Sequence, residues 1–136
     1  MGEFLVKDLM NKDVATLNGG DTVLKAIDLM NDRGIGSVIV TESGKAIGIF
    51  SERDVQRLIR KLALKAAYQM ETNVSEVKLG EVMSKPLVTT SPNATISEAY
   101  ETMIRKKIRH LPVAEGDRLV GVLAERDIFR AKRIVV

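Results

Sequence analysis

Two short segments place a carboxylate, a guanidinium and, in one of them, a hydroxyl at the start of a charged stretch. They are Gly48 to Asp54, which reads GIFSERD, and Gly121 to Asp127, which reads GVLAERD. An ionised carboxylate offers two acceptor oxygens, which suits Asp54 and Asp127 to bind two adjacent hydroxyl groups. Where a helix begins at such a segment, its first backbone N–H groups are also available to an anionic oxygen.

The same residues have a second, purely structural explanation. Ser51 and Asp54 have the spacing of the N-cap and N3 residues of a capping box, and an acidic residue at N3 also suits the helix dipole. Ala124 cannot cap with its side chain, yet the Glu-Arg-Asp sequence that follows it is unchanged. We therefore predict that Asp54 and Asp127 have a role beyond capping, and that Ser51 distinguishes the two segments.

A basic run from Arg105 to His110 supplies a third candidate group. Its first three residues fit the charged end of an exposed helix. Arg109 and His110 enter a predicted strand, and we predict that they bind phosphate, because arginine offers a fixed fork of donors and histidine one or two. The residues that stand 73 positions earlier are Gly36 and Ser37, which carry no charge.

These segments belong to a repeat that covers most of the chain. A shift of 73 residues aligns the two charged segments without a gap, and it also aligns Met10 with Met83 and Thr22 with Thr95. Self-similarity at one fixed shift indicates two tandem copies of the same supersecondary unit. We predict a first repeat at residues 1–70, a connector at 71–80 and a second repeat at 81–136.

Each copy has the pattern of a short strand, a helix, a β-hairpin and a second helix. The helices are predicted from apolar residues at i, i+3, i+4 and i+7, and the hairpins from β-branched runs that flank a turn containing glycine. In the first copy the predicted elements are a strand at 14–17, a helix from 23, a hairpin at 37–50 and a helix from 52 to about 70. In the second they are a strand at 87–90, a helix from 96, a hairpin at 110–123 and a helix from 125 that ends before 134.

Composition limits the function classes. The chain has 136 residues, 45% of them hydrophobic, and no apolar run approaches the roughly 18 residues that cross a bilayer. It has no cysteine and one histidine, which excludes a cysteine nucleophile and, within one chain, a zinc site of cysteines or several histidines. Neither a P-loop nor a dinucleotide glycine motif is present. We predict a cytoplasmic binding module that is not an enzyme and has no membrane partner.

The residues and their order resemble a tandem cystathionine-β-synthase (CBS) domain pair, or Bateman module, over almost the whole chain. The segments that carry the resemblance are Asp8 to Met10, Thr22 to Met30, Gly34 to Val40, Gly48 to Asp54, Ile108 to Val113 and Gly121 to Asp127. The resemblance implies an α+β, sandwich-like fold of two β-α-β-β-α repeats related by a pseudo-twofold axis. It also implies a disc-shaped homodimer and a cleft for an adenosine-containing ligand between the repeats.

By the same resemblance, a ligand contacts the motif aspartate of one copy through its ribose hydroxyls and strand residues of the other copy. The predicted nucleotide-binding residues are Ser51, Arg53, Asp54, Thr89, Arg109, His110 and Pro112. A second, weaker site would consist of Thr16, Gly36, Ser37, Arg126 and Asp127. The expected ligand is AMP, ADP or ATP, and no further cofactor or metal is expected. Pro112 cannot donate to a sheet ladder, so it should mark a strand edge or a bulge.

The leading hypothesis is a stand-alone regulatory sensor of an adenine nucleotide that acts on an unidentified effector protein. One alternative is a structural or oligomerisation module whose clefts are vestigial. Another is a CBS pair that binds adenosyl-methionine, NAD or nucleic acid. Nucleic acid has the least support, because the formal charge is only +3 and an aromatic content of 4% leaves few side chains to stack on bases.

Overall fold

The computed structural model describes residues 3–135, with side chains as far as residue 130. Its elements are α1 (Val6–Leu9), β1 (Thr16–Asn18), α2 (Val23–Arg33), β2 (Ser37–Glu42), β3 (Lys45–Ser51), α3 (Glu52–Ala67), a 3₁₀ turn (Val74–Glu76), α4 (Leu79–Val82), α5 (Ile96–Lys106), β4 (His110–Glu115), β5 (Arg118–Ala124) and α6 (Glu125–Val135). The predicted α+β class with two similar repeats is confirmed. Within the described part of the chain, no helix has the length and apolar character needed to cross a membrane.

The chain folds into two compact units that do not coincide with the repeats. The first-repeat unit is Ala15–Leu87, and the second-repeat unit combines Met1–Val14 with Val88–Val136. The segment that opens each repeat therefore belongs to the unit built from the body of the other repeat. The predicted boundaries at 1–70, 71–80 and 81–136 describe the repeats along the sequence, and as domain boundaries they stay a prediction.

The first-repeat unit contains a three-stranded sheet in the order β1-β2-β3, with β1 parallel and β3 antiparallel to β2. Helix α2 presents its periodic apolar face to this sheet, so that Val23 and Ala26 pack with Val40 and Phe50 in one core. Leu79 of α4 completes the core and is fully buried. Burial of side chains of this size contributes roughly 1.5–3 kcal/mol each.

Backbone hydrogen bonds attach the opening segment of the second repeat to the first-repeat unit. Ser84 N–H donates to Ile49 O at 2.8 Å, and Ile49 N–H donates back to Ser84 O at 3.0 Å. A side chain at Gly48 would obstruct this approach, because a Cβ there would lie 2.8 Å from both Met83 Sδ and Ser84 O. Gly48 is therefore required by the close passage of a second chain segment.

In the second-repeat unit, the opening segment of the first repeat is attached in the same way. Asn11 and Val122 exchange a pair of backbone hydrogen bonds, each 2.9 Å long. A Cβ at Gly121 would lie 2.7 Å from Met10 Sδ and 2.9 Å from Asn11 O. Val6 of α1 is fully buried, and it joins a core formed by α5, α6 and the β4-β5 hairpin.

The short strand predicted at 87–90 is wrong, because only a single parallel bridge between Thr90 and Val113 is formed. In the first-repeat unit, the matching strand pair includes a bond from Ile39 N–H to Ala15 O at 2.9 Å. The residue 73 positions after Ile39 is Pro112, which has no N–H to donate.

A second proline removes the backbone hydrogen bond at the opposite end of this strand pair. Gly19 N–H donates to Thr41 O at 3.0 Å in the first-repeat unit, and Pro92 occupies the equivalent position in the second. The bulge after Val113 has a different origin, because the first-repeat unit has the same irregularity after Val40 without a proline. The two prolines thus explain why one unit has three strands and the other two.

Two predicted helix ends differ from the structure. Helix α3 ends at Ala67 and not near residue 70, and Tyr68 forms its C-cap. Helix α6 continues to Val135, so the prediction that it ends before residue 134 is wrong. Helix α4 begins at Leu79, inside the predicted connector. It is the repeat counterpart of α1, so the second repeat already begins within that connector.

Alanine at Gly48 or Gly121 should destabilise the protein by about 1–3 kcal/mol, because the added methyl group pushes the opening segment away from its strand. Urea unfolding followed by far-ultraviolet circular dichroism measures this change. Gly20→Ala is the matched control, since the nearest atom to a Cβ there is Asn18 Oδ1 at 3.7 Å. Equal effects at all three glycines would show that the close passage is not what requires Gly48 and Gly121.

Candidate functional site

Asp54 is the most enclosed of the charged candidate residues, with a side chain that is 2% exposed. It stands three residues after Ser51, the N-cap of α3. Asp54 Oδ2 accepts hydrogen bonds from Ser51 N–H at 2.9 Å and from Ser51 Oγ at 3.3 Å. Asp54 Oδ1 accepts from Ser84 Oγ at 2.7 Å. These donors compensate for the cost of removing the carboxylate from water.

Arg57 adds a positive charge one helical turn after this carboxylate. Its guanidinium lies 3.6 Å from Asp54 Oδ1 and its side chain is 63% exposed. Water screens a pair of this kind, so its direct contribution to stability is at most about 1 kcal/mol. Because most of the Arg57 side chain is exposed, its guanidinium can also donate to an anion in solution.

Asp127 holds the equivalent position in the second-repeat unit but is more open, with a side chain that is 16% exposed. Its Oδ2 accepts from Ala124 N–H at 2.9 Å, and Arg130 lies 3.6 Å from its Oδ1. The residues that match Ser51 and Ser84 are Ala124 and Asn11, and neither has a hydroxyl. Asp127 is therefore the motif carboxylate that is more accessible to donors from solution.

This geometry overturns the inference that Asp127 must have a role beyond capping because Ala124 has no hydroxyl. The aspartate caps with its own carboxylate, which accepts the backbone N–H of the N-cap residue, and alanine has that N–H as well as serine does. Asp8 and Asp21 each accept the N–H three residues earlier in the same way at 2.8 Å. Capping alone thus explains why the aspartate is kept, and a role in ligand binding needs other support.

The cap contact also favours the charged form of a carboxylate. The pKa of Asp21 is held below its ordinary value, first by the Asn18 N–H and then by the Lys25 ammonium, which lies 3.2 Å away. Asp54 and Asp127 accept the same kind of backbone bond. This bond fixes the orientation of the carboxylate at the start of each helix.

Arg109 and His110 lie beside the start of α6 in the second-repeat unit. Arg109 Nε is 3.8 Å from Glu125 Oε2, and Glu125 N–H donates to Arg109 O at 2.9 Å. His110 is half-buried at the start of β4, directly opposite Ala124 of β5. The Arg109 side chain is 75% exposed, so its pairing with Glu125 leaves donors available to a phosphate.

The uncharged counterparts occupy the matching place in the first-repeat unit. Gly36 O accepts from Glu52 N–H at 3.1 Å, and Ser37 is the cross-strand partner of Ser51. Ser37 is buried and Thr16 is exposed on β1. At these two positions the first-repeat unit therefore has a glycine and a serine where the second-repeat unit has two basic side chains.

The predicted sites are divided between the units. Of the nucleotide-binding residues, the first-repeat unit contains Ser51, Arg53 and Asp54, and the second-repeat unit contains Thr89, Arg109, His110 and Pro112. Of the weaker site, the first-repeat unit contains Thr16, Gly36 and Ser37, and the second-repeat unit contains Arg126 and Asp127. The structure brings together Ser51 and Asp54, and it pairs Ser37 with Ser51. The pairing of residues from different copies stays a prediction.

Four contacts of the candidate site residues were missed from the sequence. Arg57 and Arg130 had a signal, since both copies place an arginine three residues after the motif aspartate. Glu125 had a weaker one as part of the repeated motif. Ser84 had none, because it lies 30 residues from Asp54 and its repeat counterpart is Asn11.

The CBS domain family model matches residues 6–61 and 79–134. The chain belongs to the CBS domain family. It is 33% identical over 123 residues to the CBS domain-containing protein YhcV of Bacillus subtilis (strain 168). The aligned residues cover 90% of this chain and 81% of YhcV. A tandem CBS pair is a regulatory ligand-binding module.

Solved CBS structures share the fold. The CBS-domain protein ATU1752 from Agrobacterium tumefaciens is 30% identical, with a TM-score of 0.79 over 94% of this chain and 92% of that one. The CBS domain pair of MJ0100, solved in complex with 5′-methylthioadenosine and S-adenosyl-L-methionine, has a TM-score of 0.84 at 19% identity. That likeness covers 99% of this chain and 100% of the other, and it shows the fold.

Replacing the two motif aspartates by alanine should have unequal effects on stability. Asp54→Ala leaves Ser51 N–H and Ser84 Oγ without an acceptor in a partly buried place, and we expect a loss of about 2–3 kcal/mol. Asp127→Ala removes a partly exposed cap and should cost about 1 kcal/mol. Urea unfolding at neutral pH gives both values. Equal losses would show that burial of Asp54 adds nothing to its capping role.

Proposed function

We propose that this CBS pair is a regulatory sensor that binds AMP, ADP or ATP through its motif aspartates. One observation carries the proposal. In each unit a helix begins with an aspartate fixed by a backbone N–H, and an exposed arginine lies 3.6 Å from the same carboxylate. An acceptor and a cation placed side by side match the ribose hydroxyls and the phosphate of one nucleotide.

Charge favours an anionic ligand. Arg57 and Arg130 have side chains that are 63% and 69% exposed, and Arg109 is 75% exposed. Their guanidinium groups supply donors in the planar fork that matches phosphate oxygens. Together with the +3 formal charge of the chain, they favour a phosphorylated adenosine over a neutral or cationic one.

S-adenosyl-L-methionine is the second candidate ligand. The MJ0100 CBS pair was solved with that compound and with 5′-methylthioadenosine, and both contain adenosine with its two ribose hydroxyls. The shared adenosine supports the proposed role of the aspartates and leaves the group at the 5′ position open. The exposed arginines favour phosphate there, because a sulfonium cation gains nothing from a guanidinium.

Binding would regulate an effector protein if the ligand favours one conformation or assembly of the pair over another. We further propose that the pair acts as a homodimer in the cytoplasm. Helix α3 exposes 60% of Leu64, and Tyr68 at its C-cap, four residues later on the same face, is 73% exposed. Apolar side chains exposed together on one helix are suited to self-association. Light scattering after size-exclusion chromatography measures the mass of the assembly.

A thermal-shift panel of AMP, ADP, ATP, S-adenosyl-L-methionine, NAD and GTP tests the ligand class. A ligand at one hundred times its Kd stabilises the native state by about 2.7 kcal/mol, so an adenine nucleotide should raise the Tm by several degrees. GTP is the control that shows whether the protein distinguishes adenine from guanine. Absence of a shift with every compound would favour the structural or oligomerisation module, and strongly salt-dependent binding of RNA or DNA would favour nucleic acid.

Arg109→Ala should weaken ATP binding about tenfold in calorimetry, because a charge-assisted hydrogen bond to phosphate is lost. Adenosine binding should not change, since adenosine has no phosphate. Arg105→Ala, at the exposed end of α5, is the matched control and should leave both affinities unchanged. An equal loss for ATP and adenosine would assign Arg109 to the structure of the unit and not to phosphate.

A further inference from the structure

Besides the Ser51 hydroxyl, which Ala124 lacks, the two motif aspartates differ in a contact with the opening segment of the other repeat. Ser84 Oγ donates to Asp54 Oδ1 at 2.7 Å in the first-repeat unit. The equivalent residue in the second-repeat unit is Asn11, whose Oδ1 accepts from Asp13 N–H at 2.9 Å. Asn11 thus caps its own turn, and the hydroxyl contact occurs at one motif aspartate and has no counterpart at the other.

This contact leaves few acceptor positions of the Asp54 carboxylate available to a ligand. Its Oδ2 already accepts two hydrogen bonds from Ser51 and its Oδ1 accepts the bond from Ser84, while the side chain is only 2% exposed. A carboxylate has about four acceptor positions, so two new hydroxyl donors would have to displace an existing one. At Asp127 the side chain is 16% exposed, and neither of the two matching residues has a hydroxyl.

Ser84 is also held in place by its backbone. It exchanges two backbone hydrogen bonds with Ile49 of β3, at 2.8 and 3.0 Å. Its hydroxyl can therefore leave Asp54 by rotation about the Cα–Cβ bond while the segment stays attached to the sheet. At Oδ2 the Ser51 backbone N–H belongs to the helix cap and cannot rotate away, whereas Oδ1 accepts its hydrogen bond from the Ser84 hydroxyl, which can.

We propose that Ser84 is a hydroxyl lock on Asp54, so that the ribose of an adenosine ligand binds first at Asp127 and reaches Asp54 only when Ser84 turns away. The inference rests on the proposed adenosine-binding function and reverses the predicted order of the two sites. It makes Ser84 a residue that sets the affinity of one site without contacting the phosphate. The two sites then respond to different ligand concentrations.

Calorimetry with AMP in an Asp127→Ala background isolates the site that contains Asp54. In this background Ser84→Ala should tighten AMP binding about tenfold, because the ligand no longer competes with a hydrogen bond to a charged acceptor. Ser97→Ala, on the exposed part of α5 in the other unit, is the matched control and should change nothing. If Asp127→Ala does not fold, as judged by circular dichroism, Asp127→Asn keeps the cap acceptor and replaces it.

The same titrations with 2′-deoxy-AMP identify the group that the lock excludes. The gain from Ser84→Ala should be at most about threefold for this ligand, because it lacks one of the two hydroxyls that would take the place of Ser84. An AMP affinity that Ser84→Ala leaves unchanged or lowers overturns the lock, and so does an equal gain for both nucleotides. Failure of the unaltered protein to bind any nucleotide in the panel overturns the proposed function itself, and the lock with it.

Discussion

The close approach of each opening segment to a strand glycine is the constraint on which both units depend. A pair of antiparallel backbone bonds joins Ser84 to Ile49 in one unit and Asn11 to Val122 in the other. Each pair forms where the neighbouring glycine has no side chain to keep the segments apart. Without this attachment Leu79 and Val6 would not reach their cores, where both are fully buried.

The same backbone attachment positions a hydroxyl group at a motif carboxylate. Because Ser84 is bound to β3 through its backbone, its hydroxyl is delivered to the carboxylate at the start of α3. The motif glycine and the motif aspartate are therefore linked by a third residue from another repeat. A motif that looks local along the chain, from Gly48 to Asp54, depends on a contact 30 residues away.

Capping and ligand binding are compatible roles for one carboxylate. A backbone N–H takes one acceptor position and fixes the orientation of the side chain, and the remaining positions are open to other donors. In Asp127 those positions are still accessible, whereas in Asp54 serine hydroxyls take them. The structural difference between the two copies thus lies in the groups that occupy the carboxylate, since the carboxylate itself is common to both.

Small substitutions account for the rest of the asymmetry. Pro92 and Pro112 remove two donors and reduce a three-stranded sheet to two strands. Arg109 introduces a cation where the first copy has Gly36, and Glu125 partly balances it. Each change affects a hydrogen bond or a charge and leaves the apolar positions of the core in place, so the two copies keep one fold.

The repeat, the four long helices, the two hairpins and the motif aspartates were determined by the sequence itself, because periodicity and a gapless shift of 73 residues depend only on local order. The short helices α1 and α4 were not predicted, since four residues are too few to show helical periodicity. Only the tertiary structure decided which opening segment completes which unit, since backbone pairing between distant segments has no local pattern. It also decided that Asp54 is closed by Ser84 and that Asp127 caps without a hydroxyl. Residue types reveal which groups can donate or accept, but the folded chain selects the partners that they find.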